Sequence, residues 1–531
     1  MLQFQLMKWK ITPKHSDDLV KQLLFNRGIK TEEDKEKFFH PKISDFEKEL
    51  QIPGIEKANR RILEAVKNQE LIIVYGDYDV DGICASAILY KGLTSIGAKV
   101  LPYIPHREKE GYGLSRLGLE FARDSGAAVV ITVDNGIVAF DQALFAKELG
   151  LDLIITDHHI PAKVKPVAYE IVHSTKMCGA AVAWCLIRDL VKQELVSELL
   201  QFVAIAEICD LLPLVGLGRA LTVEGFKVLN RTTNLGLLSL INESDLRVGE
   251  ISSYEVGHIL GPRLNAMGRL EHAIDSLRLL CTKDPIKAKR LAKLLTDTNV
   301  TRQKMTMDAL EQAKLLVDEK QMIQVLSNKD WSAGVIGLVA GRIVEEYFRP
   351  AIAISIGSEI SKGSARSVDG VNIIELIRKH SDILIDVGGH PGAAGFSLLS
   401  RNIEIFKKRL EAHIVELPDK EKVLEIDAEI SSKQLNRTLV RQLQRFEPFG
   451  LGNRKPVFVT EGMTVTDIRT VGEGKHLKFK ADIIDAIAFN MGEQVNLLKS
   501  GQMVDLAYNL ELNTYNGNEE LQLKVKDIKL N

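Results

Sequence analysis

Residues 71–82, LIIVYGDYDVDG, constrain the fold of this chain more than any other stretch. An apolar, β-branched run that ends in glycine reads as a buried strand. Asp77, Asp79 and Asp81 follow at every second position, and Gly82 is expected to close the turn. Three carboxylates at the end of a buried strand repel one another, and each loses hydration. A divalent cation removes that cost, because carboxylate oxygens suit Mg²⁺ and Mn²⁺. One DxD taken alone is more often a solvated acidic turn. The remainder of the chain decides between the two.

The 531 residues suit three to four domains at roughly 150 residues each. A hydrophobic content of 45% and a charged content of 26% are those of soluble globular protein. Sixty-nine Lys and Arg against 71 Asp and Glu leave a net charge of −2. A general polyelectrolyte attraction to nucleic acid is therefore not visible, and any such binding must use local basic patches. Cys84, Cys178, Cys185, Cys209 and Cys281 form no CxxC pair and no zinc spacing, and read as core thiols of a cytoplasmic protein. The start, MLQFQLMKWK, lacks a signal-peptide core, and no apolar run approaches the ~20 residues of a membrane span. GLTSIGAK (92–99) has alanine where a P-loop needs lysine, and HExxH and GxSxG are absent. An ATP motor and a serine hydrolase are thus not expected.

Residues 1–55 read as an N-terminal arm with small helices capped by Ser16 and Thr31 and stopped at Gly28 and Pro41. From 56 to 215 helix and strand alternate, which argues a mostly parallel sheet with helices on both faces. Ligands bind at the carboxyl ends of such strands. Asp134 and Asn135 end AAVVITV; Asp157, His158 and His159 end LDLIIT; Asp210 ends QFVAIAEIC. A lone Asp after a strand is usually a helix cap, and Asp157 is open to that reading. So many ligand-type groups at one edge point to a metal site.

Residues 216–320 read as a helical linker whose last part can act as a strut. Before it, GPRLNAMGRL (261–270) reads as a loop shaped by Gly261, Pro262 and Gly268 around Arg263, Asn265 and Arg269, residues able to hold phosphate. Residues 321–412 return to α/β. There Arg366 in GSARS reads as a phosphate clamp, and GGHPGAAGF (388–396) offers glycine N–H groups and His390 to an anion. Residues 413–531 carry about five short alternating segments, as in a small OB-like β-barrel. Arg454, Lys455, Arg469, Lys475, Lys478 and Lys480, interleaved with Phe449, Phe458 and Phe479, suit a single nucleic-acid strand. Phe479, which alternates with Lys478 and Lys480, equally fits a barrel core.

GDYDVDG, VDNG, TDHH and the Asp of ICDLLPL together resemble the DHH phosphoesterase superfamily, and GSARS and GGHPGAAGF resemble its DHHA1 domain. EGYGL, GPRLNAMGRL and EPFGLGNRKPVF narrow the resemblance to the RecJ family of bacterial single-strand-specific 5′→3′ DNA exonucleases, over nearly the whole chain. The resemblance implies an α/β DHH domain, a helical linker, an α/β DHHA1 domain and a C-terminal OB-like barrel. It implies two Mn²⁺ or Mg²⁺ ions. By similarity Asp81, Asp134, His158 and Asp210 hold one; Asp79 and Asp134 hold the other, with Asp134 bridging and Asp77 close by. His159 lies near the scissile phosphate or just outside the ligands, so Asp77, Asp134 and His159 are the expected catalytic groups. Arg107, Arg263, Asn265, Ser364, Arg366 and His390 match family positions near the substrate. The implied reaction is hydrolysis of single-stranded DNA to mononucleotides in DNA repair and recombination, in the cytoplasm. A single-strand-binding protein and a RecQ-type helicase are the implied partners, and nothing indicates an oligomer. Two bridged cations fit this chemistry on their own terms, because they activate water and neutralise phosphoryl charge.

The chain departs from the family pattern in two places. His173-Ser174 stands where Asn-Pro is usual, and Ser332 in WSAGVIG replaces a histidine. Neither touches an expected ligand, so substrate details such as end preference or rate are what they put in question. No interaction domain is expected beyond the barrel. A phosphodiesterase of short oligonucleotides, a non-catalytic DNA-binding scaffold and a manganese pyrophosphatase are the rival readings. The barrel argues against the first, the full ligand set against the second, and the linker and barrel against the third.

Overall fold

The structure is a computed structural model that describes residues 7–107, 109–413, 423–515 and 518–530. The first six residues of the expected N-terminal arm, and residues 414–422 near the expected start of the barrel region, lie outside the described residues.

The chain begins with β1 (Lys8–Ile11) and the helices Leu19–Asn26 and Glu32–Phe39. Thr31 caps the second helix as expected, accepting from the Asp34 N–H. The first is capped by Asp18 rather than Ser16. The Asp18 carboxylate accepts from the N–H groups of Val20 and Lys21, and the Ser16 hydroxyl accepts from the N–H of Asp18. An anion at this end is also favoured by the helix dipole.

Five strands then form an all-parallel sheet: β2 (Leu71–Gly76), β3 (Lys99–Tyr103), β4 (Ala127–Val133), β5 (Asp152–Asp157) and β6 (Glu170–His173), in the order β3-β2-β4-β5-β6. Alternation along each strand covers both faces. Ile72, Val74 and Ile131 pack with Ile83, Val182 and Phe202, whereas Ile73, Tyr75 and Val130 pack with Leu119, Ala122 and Ala146. The expected sheet with helices on both sides is what forms. Gly82, however, lies inside the Val80–Ser95 helix and not in a turn, because Asp79 caps that helix by accepting from the Gly82 N–H.

Residues 261–270 are a helix, Gly261–Leu270, and not the expected loop. Pro262 sits in its first turn, where no intrahelical N–H is required. A π-helical turn, Val256–Leu260, delivers the backbone already helical. Gly268 serves close packing: a Cβ there would lie 2.5 Å from the Tyr78 carbonyl oxygen. The strut is one helix, Pro285–Leu316, about 48 Å long.

A second sheet contains β7 (Gln324–Asn328), β8 (Ala351–Ser355), β9 (Ile360–Arg366), β10 (Leu384–His390) and β11 (Ala393–Leu399) in the order β10-β11-β9-β8-β7. The β7–β8 pair is parallel and the other pairs antiparallel. GGHPGAAGF forms the end of the β10–β11 hairpin, with His390 opposite Ala393.

Next, β12 (Val423–Ile426) pairs in parallel with β1. The last strands are β13 (Ala428–Glu429), β14 (Phe458–Val471), β15 (His476–Ala481), β16 (Ile484–Ala488), β17 (Met503–Tyr515) and β18 (Asn518–Leu530). Their pairings run β14-β15-β16-β18-β17, and β17 also pairs with β14, an OB-like arrangement. The rings expected to stack on bases are not available. Phe458 and Phe479 are buried in its core with Leu477 and Tyr508, and half-buried Phe449 packs against the same cluster. Period-two alternation directs Phe479 inward and Lys478 and Lys480 outward. Lys455 pairs with Glu511 at 2.7 Å, Arg454 with Glu425 at 3.0 Å and Lys478 with Asp485 at 3.6 Å.

Leu23, Leu24 and Phe38 of the arm join that same core. Arg219, from the helix Gly216–Leu229, ties the arm, linker and barrel together. It is 2% exposed, lies 4.0 Å over the Phe38 ring and donates to the carbonyl oxygens of Phe38, Phe446, Glu447 and Pro448. No helix among the described residues is long and apolar enough to cross a membrane.

Candidate metal centre and substrate cleft

The carboxyl edge of the parallel sheet gathers seven of the expected residues. Asp77 leaves β2 and Asp79 caps the next helix, with Asp81 in its first turn. Asp134 follows β4 with φ +62°, a left-handed backbone rare for a residue with a Cβ and often retained at functional sites. His158 and His159 follow β5, and Asp210 ends the helix Gln193–Cys209. Three groupings bring one ligand atom per residue within 4.8 Å of the others: Asp77, Asp79 and Asp134; Asp81, His158 and Asp210; and Asp134, His158 and His159. His158 Nε2 lies 3.1 Å from Asp134 and 3.5 Å from both Asp81 and Asp210.

Neighbouring groups set each ligand. Asp81 accepts from the N–H groups of Gly179 and Ala180, both at 2.7 Å, at the start of the helix Gly179–Ile187. Asp157 is not a helix cap. Its carboxylate accepts from the N–H groups of Ile137, His158 and His159 and from His159 Nδ1 at 2.7 Å. Because a carboxylate only accepts, Nδ1 of His159 carries the proton and Nε2 faces Tyr112, 3.2 Å away. His173, at the departure from the family pattern, donates to the His159 carbonyl oxygen at 2.7 Å. Ser332, at the other departure, accepts from the Gly334 N–H at 3.2 Å, in the loop that abuts Arg269.

The charge balance of the cluster is unfavourable without a cation. Burial, then the Asp79 charge, pushes Asp77 well above the ordinary carboxylate range and Asp81 to about 7. Burial, then Asp81, pushes Asp134 well up and Asp210 to about 8. Burial, then His159, pushes His158 down to about 4. His159 is lowered by burial, but the Asp157 hydrogen bond and charge outweigh this and raise it to about 9. Asp77 Oδ1, Asp134 Oδ1 and His158 Nε2 are buried with no hydrogen-bond partner among the described residues. Oxygen-rich, partnerless donors with one imidazole fit divalent cations.

A pH dependence follows. Groups whose pKa is raised by folding bind more protons in the folded state, so their stabilisation is lost as pH rises through the folded values. Between pH 6.5 and 8, Asp81, Asp210 and His159 all act in this direction, while His158, neutral when folded but half-charged when unfolded near pH 6.5, opposes them only at the lower edge of the window. In EDTA the Tm of the protein is expected to fall across this window, and saturating Mn²⁺ is expected to remove most of the fall. Differential scanning fluorimetry at a series of pH values measures both.

Gly179 was not legible as a site residue. A Cβ there would lie 2.7 Å from the Asp134 Cβ and 2.9 Å from its Oδ1. Gly179→Ala is expected to displace Asp134 and slow strand degradation about 10²-fold, with the far-UV circular dichroism unchanged.

The substrate-side residues separate into two groups. Arg107 stacks over Tyr78 at 5.0 Å and shares a neighbourhood with Arg269, Arg302 and Arg366. Burial, then these three like charges, lowers Arg269 to about 10. None of the four makes an ion pair with a carboxylate among the described residues. Ser364 lies beside Arg366, 3.3 Å from its Nη1, and the His390 ring lies nearly parallel to His159 at 6.5 Å. The cleft between the two α/β units thus sets the carboxylates beside an arginine wall to which both units and the linker contribute, with His390 of the second unit facing His159 of the first. Asn265 and Arg263 are placed differently. Asn265 Oδ1 accepts from the Val80 N–H, so it locks the linker helix onto the acidic motif. Arg263 donates to the Ile259 carbonyl and has Asp245 and Glu243, rather than the acidic cluster, as its charged neighbours. Arg302 is a cleft residue without a sequence motif of its own, whereas Tyr112 of EGYGL and Asp157 of TDHH lie in motifs that did not reveal their roles.

Three family descriptions match the chain: the DHH family N-terminal domain at residues 71–207, the DHHA1 domain at 318–416 and the RecJ OB domain at 426–527. The single-stranded-DNA-specific exonuclease RecJ of Bacillus subtilis is 36% identical over 97% of this chain and 68% of its own length. That of Haemophilus influenzae is 32% identical over 90% of this chain and 91% of its own. RecJ from Thermus thermophilus in complex with Mn²⁺ superposes with a TM-score of 0.86 at 28% identity, covering 99% of this chain and 80% of that one. The same protein in complex with Mg²⁺ gives 0.79 at 27% identity, covering 98% and 78%. With all three domains matched in order and relatives this similar over nearly their whole shared length, the chain belongs to the RecJ family.

Proposed function

We propose that this chain is a divalent-metal-dependent exonuclease that hydrolyses single-stranded DNA from the 5′ end to mononucleotides. The observation that carries this reading is the three overlapping ligand groupings, linked through Asp134 and His158, beside four arginines that have no carboxylate partner among the described residues. Asp81, Asp134, His158 and Asp210 would hold one Mn²⁺ or Mg²⁺ ion, and Asp77, Asp79 and Asp134 the other. When bound, such ions activate water and neutralise charge on the phosphoryl oxygens during in-line displacement. Arg107, Arg269 and Arg366, with Ser364, hold the phosphates and align the scissile one. His159, oriented by Asp157 and Tyr112, presents Nε2 to the reacting phosphate and exchanges a proton there. His390 closes the opposite side of the cleft. Asn265 acts by keeping the linker helix against Val80.

The same reading places the enzyme in the cytoplasm, in DNA repair and recombination, as a monomer supplied with strand by a helicase of the RecQ type and a single-strand-binding protein. It keeps 1–55, 56–215, 216–320, 321–412 and 413–531 as working divisions of the chain.

Degradation of a 3′-labelled single strand in Mn²⁺, beside a matched duplex and a 5′-blocked strand, tests this. Mononucleotide release from the free 5′ end alone is expected. A strand that binds but stays intact, or cleavage restricted to di- and trinucleotides, overturns the reading.

A further inference from the structure

The single-strand contacts expected of Phe458 and Phe479 have no counterpart in the barrel core, but another set of rings lies exposed where the linker meets the barrel. Tyr254 is 54% exposed and Phe489 44% exposed. Tyr254 stacks on the exposed His258 at 4.6 Å with 17° between the planes. Phe489 follows β16 and packs edge-on against His476 at 5.1 Å. Lys524 of β18 lies between the two groups, 5.8 Å from the Tyr254 ring and 5.3 Å from the Phe489 ring. Solvent-facing aromatic planes on either side of a lysine match the chemistry of a single strand, whose bases stack and whose phosphates need a cation.

A second observation links these rings to the cleft. Tyr254 and His258 lie in Ser253–Glu255 and the π-helical turn Val256–Leu260, which run without a break into Gly261–Leu270. π-Helical turns are rare and recur at functional sites. The same helix carries Asn265, bonded to Val80, and Arg269, in the arginine wall. Tyr254 is fifteen residues before Arg269, so the rings stand about 22 Å along the helix from that wall. This span corresponds to about six stacked nucleotides, fewer where the strand is extended.

We propose that Tyr254, His258 and Phe489, with Lys524, form a base-stacking site shared by the linker and the barrel, which grips single-stranded DNA several nucleotides downstream of the end being hydrolysed. The site explains how a chain of net charge −2 can hold a strand beyond its cleft. It takes any base sequence, because every base offers a π-face. It rests on the exonuclease reading above.

The test uses a fluorescent, 5′-phosphorylated 20-nucleotide strand in EDTA, where nothing is cut, with affinity read by anisotropy. A companion strand carries abasic residues at positions 5–8 from the 5′ end, which keeps every phosphate and removes the bases. The wild-type protein is expected to bind the abasic strand about tenfold more weakly. The double variant Tyr254→Ala, Phe489→Ala is expected to bind the intact strand about tenfold more weakly and to respond little to the abasic block. Tyr254→Phe, which keeps the ring, is expected to bind as the wild type does. Equal wild-type affinity for both strands, or a double variant that stays as sensitive to the abasic block, overturns the stacking site and leaves the exonuclease reading standing. A protein that binds neither strand in EDTA also overturns the stacking site, while the exonuclease reading stands or falls with degradation in Mn²⁺.

Discussion

Asp134→Asn is expected to lower the rate of strand degradation about 10³-fold or more, while making the metal-free protein harder to unfold. In the proposed centre Asp134 is the ligand common to the two ions, so its loss would weaken both ion positions at once. In metal-free protein the same side chain is a liability. It is 2% exposed, its Oδ1 has no hydrogen-bond partner among the described residues, and Asp77, Asp79 and Asp81 surround it. The amide keeps the shape and removes the charge. In EDTA at pH 8 the Tm of the variant is expected to rise by about 2–4 °C, and in saturating Mn²⁺ the order is expected to reverse. A variant that is less stable than the wild type in EDTA would show that the carboxylate is held by something other than a cation.

Arg219→Met is expected to destabilise the docking of the barrel by about 3–5 kcal/mol. Four main-chain carbonyls on two separate segments converge on one buried guanidinium. Methionine fills the space but leaves those oxygens without donors. Arg219→Lys is expected to recover little, because an ammonium cannot reproduce the planar fork. Urea unfolding followed by hydrogen exchange checks this: amides near Phe446 and Phe38 are expected to exchange early, well before those of the parallel sheet. Cleavage of long strands is expected to suffer more than cleavage of short ones, since the barrel carries Phe489 and Lys524.

Much of the candidate metal centre was legible because the residues that could hold the ions end elements of clear periodicity. Asp134 follows seven residues of buried strand, and His158 follows six. Strand order and parallel register then bring them to one edge without further information. What was not legible depends on contacts between distant segments. Asp157 looks like a cap in sequence, and only folding brings the Ile137 N–H and the His159 ring to it. GPRLNAMGRL looks like a loop because of its glycines and proline, yet Pro262 falls in a first helical turn and Gly268 meets the Tyr78 carbonyl. Arg302 carries no local signal within a 32-residue helix, and only the tertiary fold brings it near Arg269. The barrel's aromatic residues misled for a simpler reason: Phe458 and Phe479 fall on inward positions of their strands, and the exposed ring, Phe489, lies just past a strand end.

The most direct measurement on the central claim is Mn²⁺ binding followed by electron paramagnetic resonance. The wild-type chain is expected to take up two ions whose spins are coupled, because in the proposed centre Asp134 serves both. Asp134→Asn is expected to lose the coupling and most of the affinity. A single uncoupled ion in the wild type, or a coupled pair that survives Asp134→Asn, would contradict a two-ion centre built on this residue.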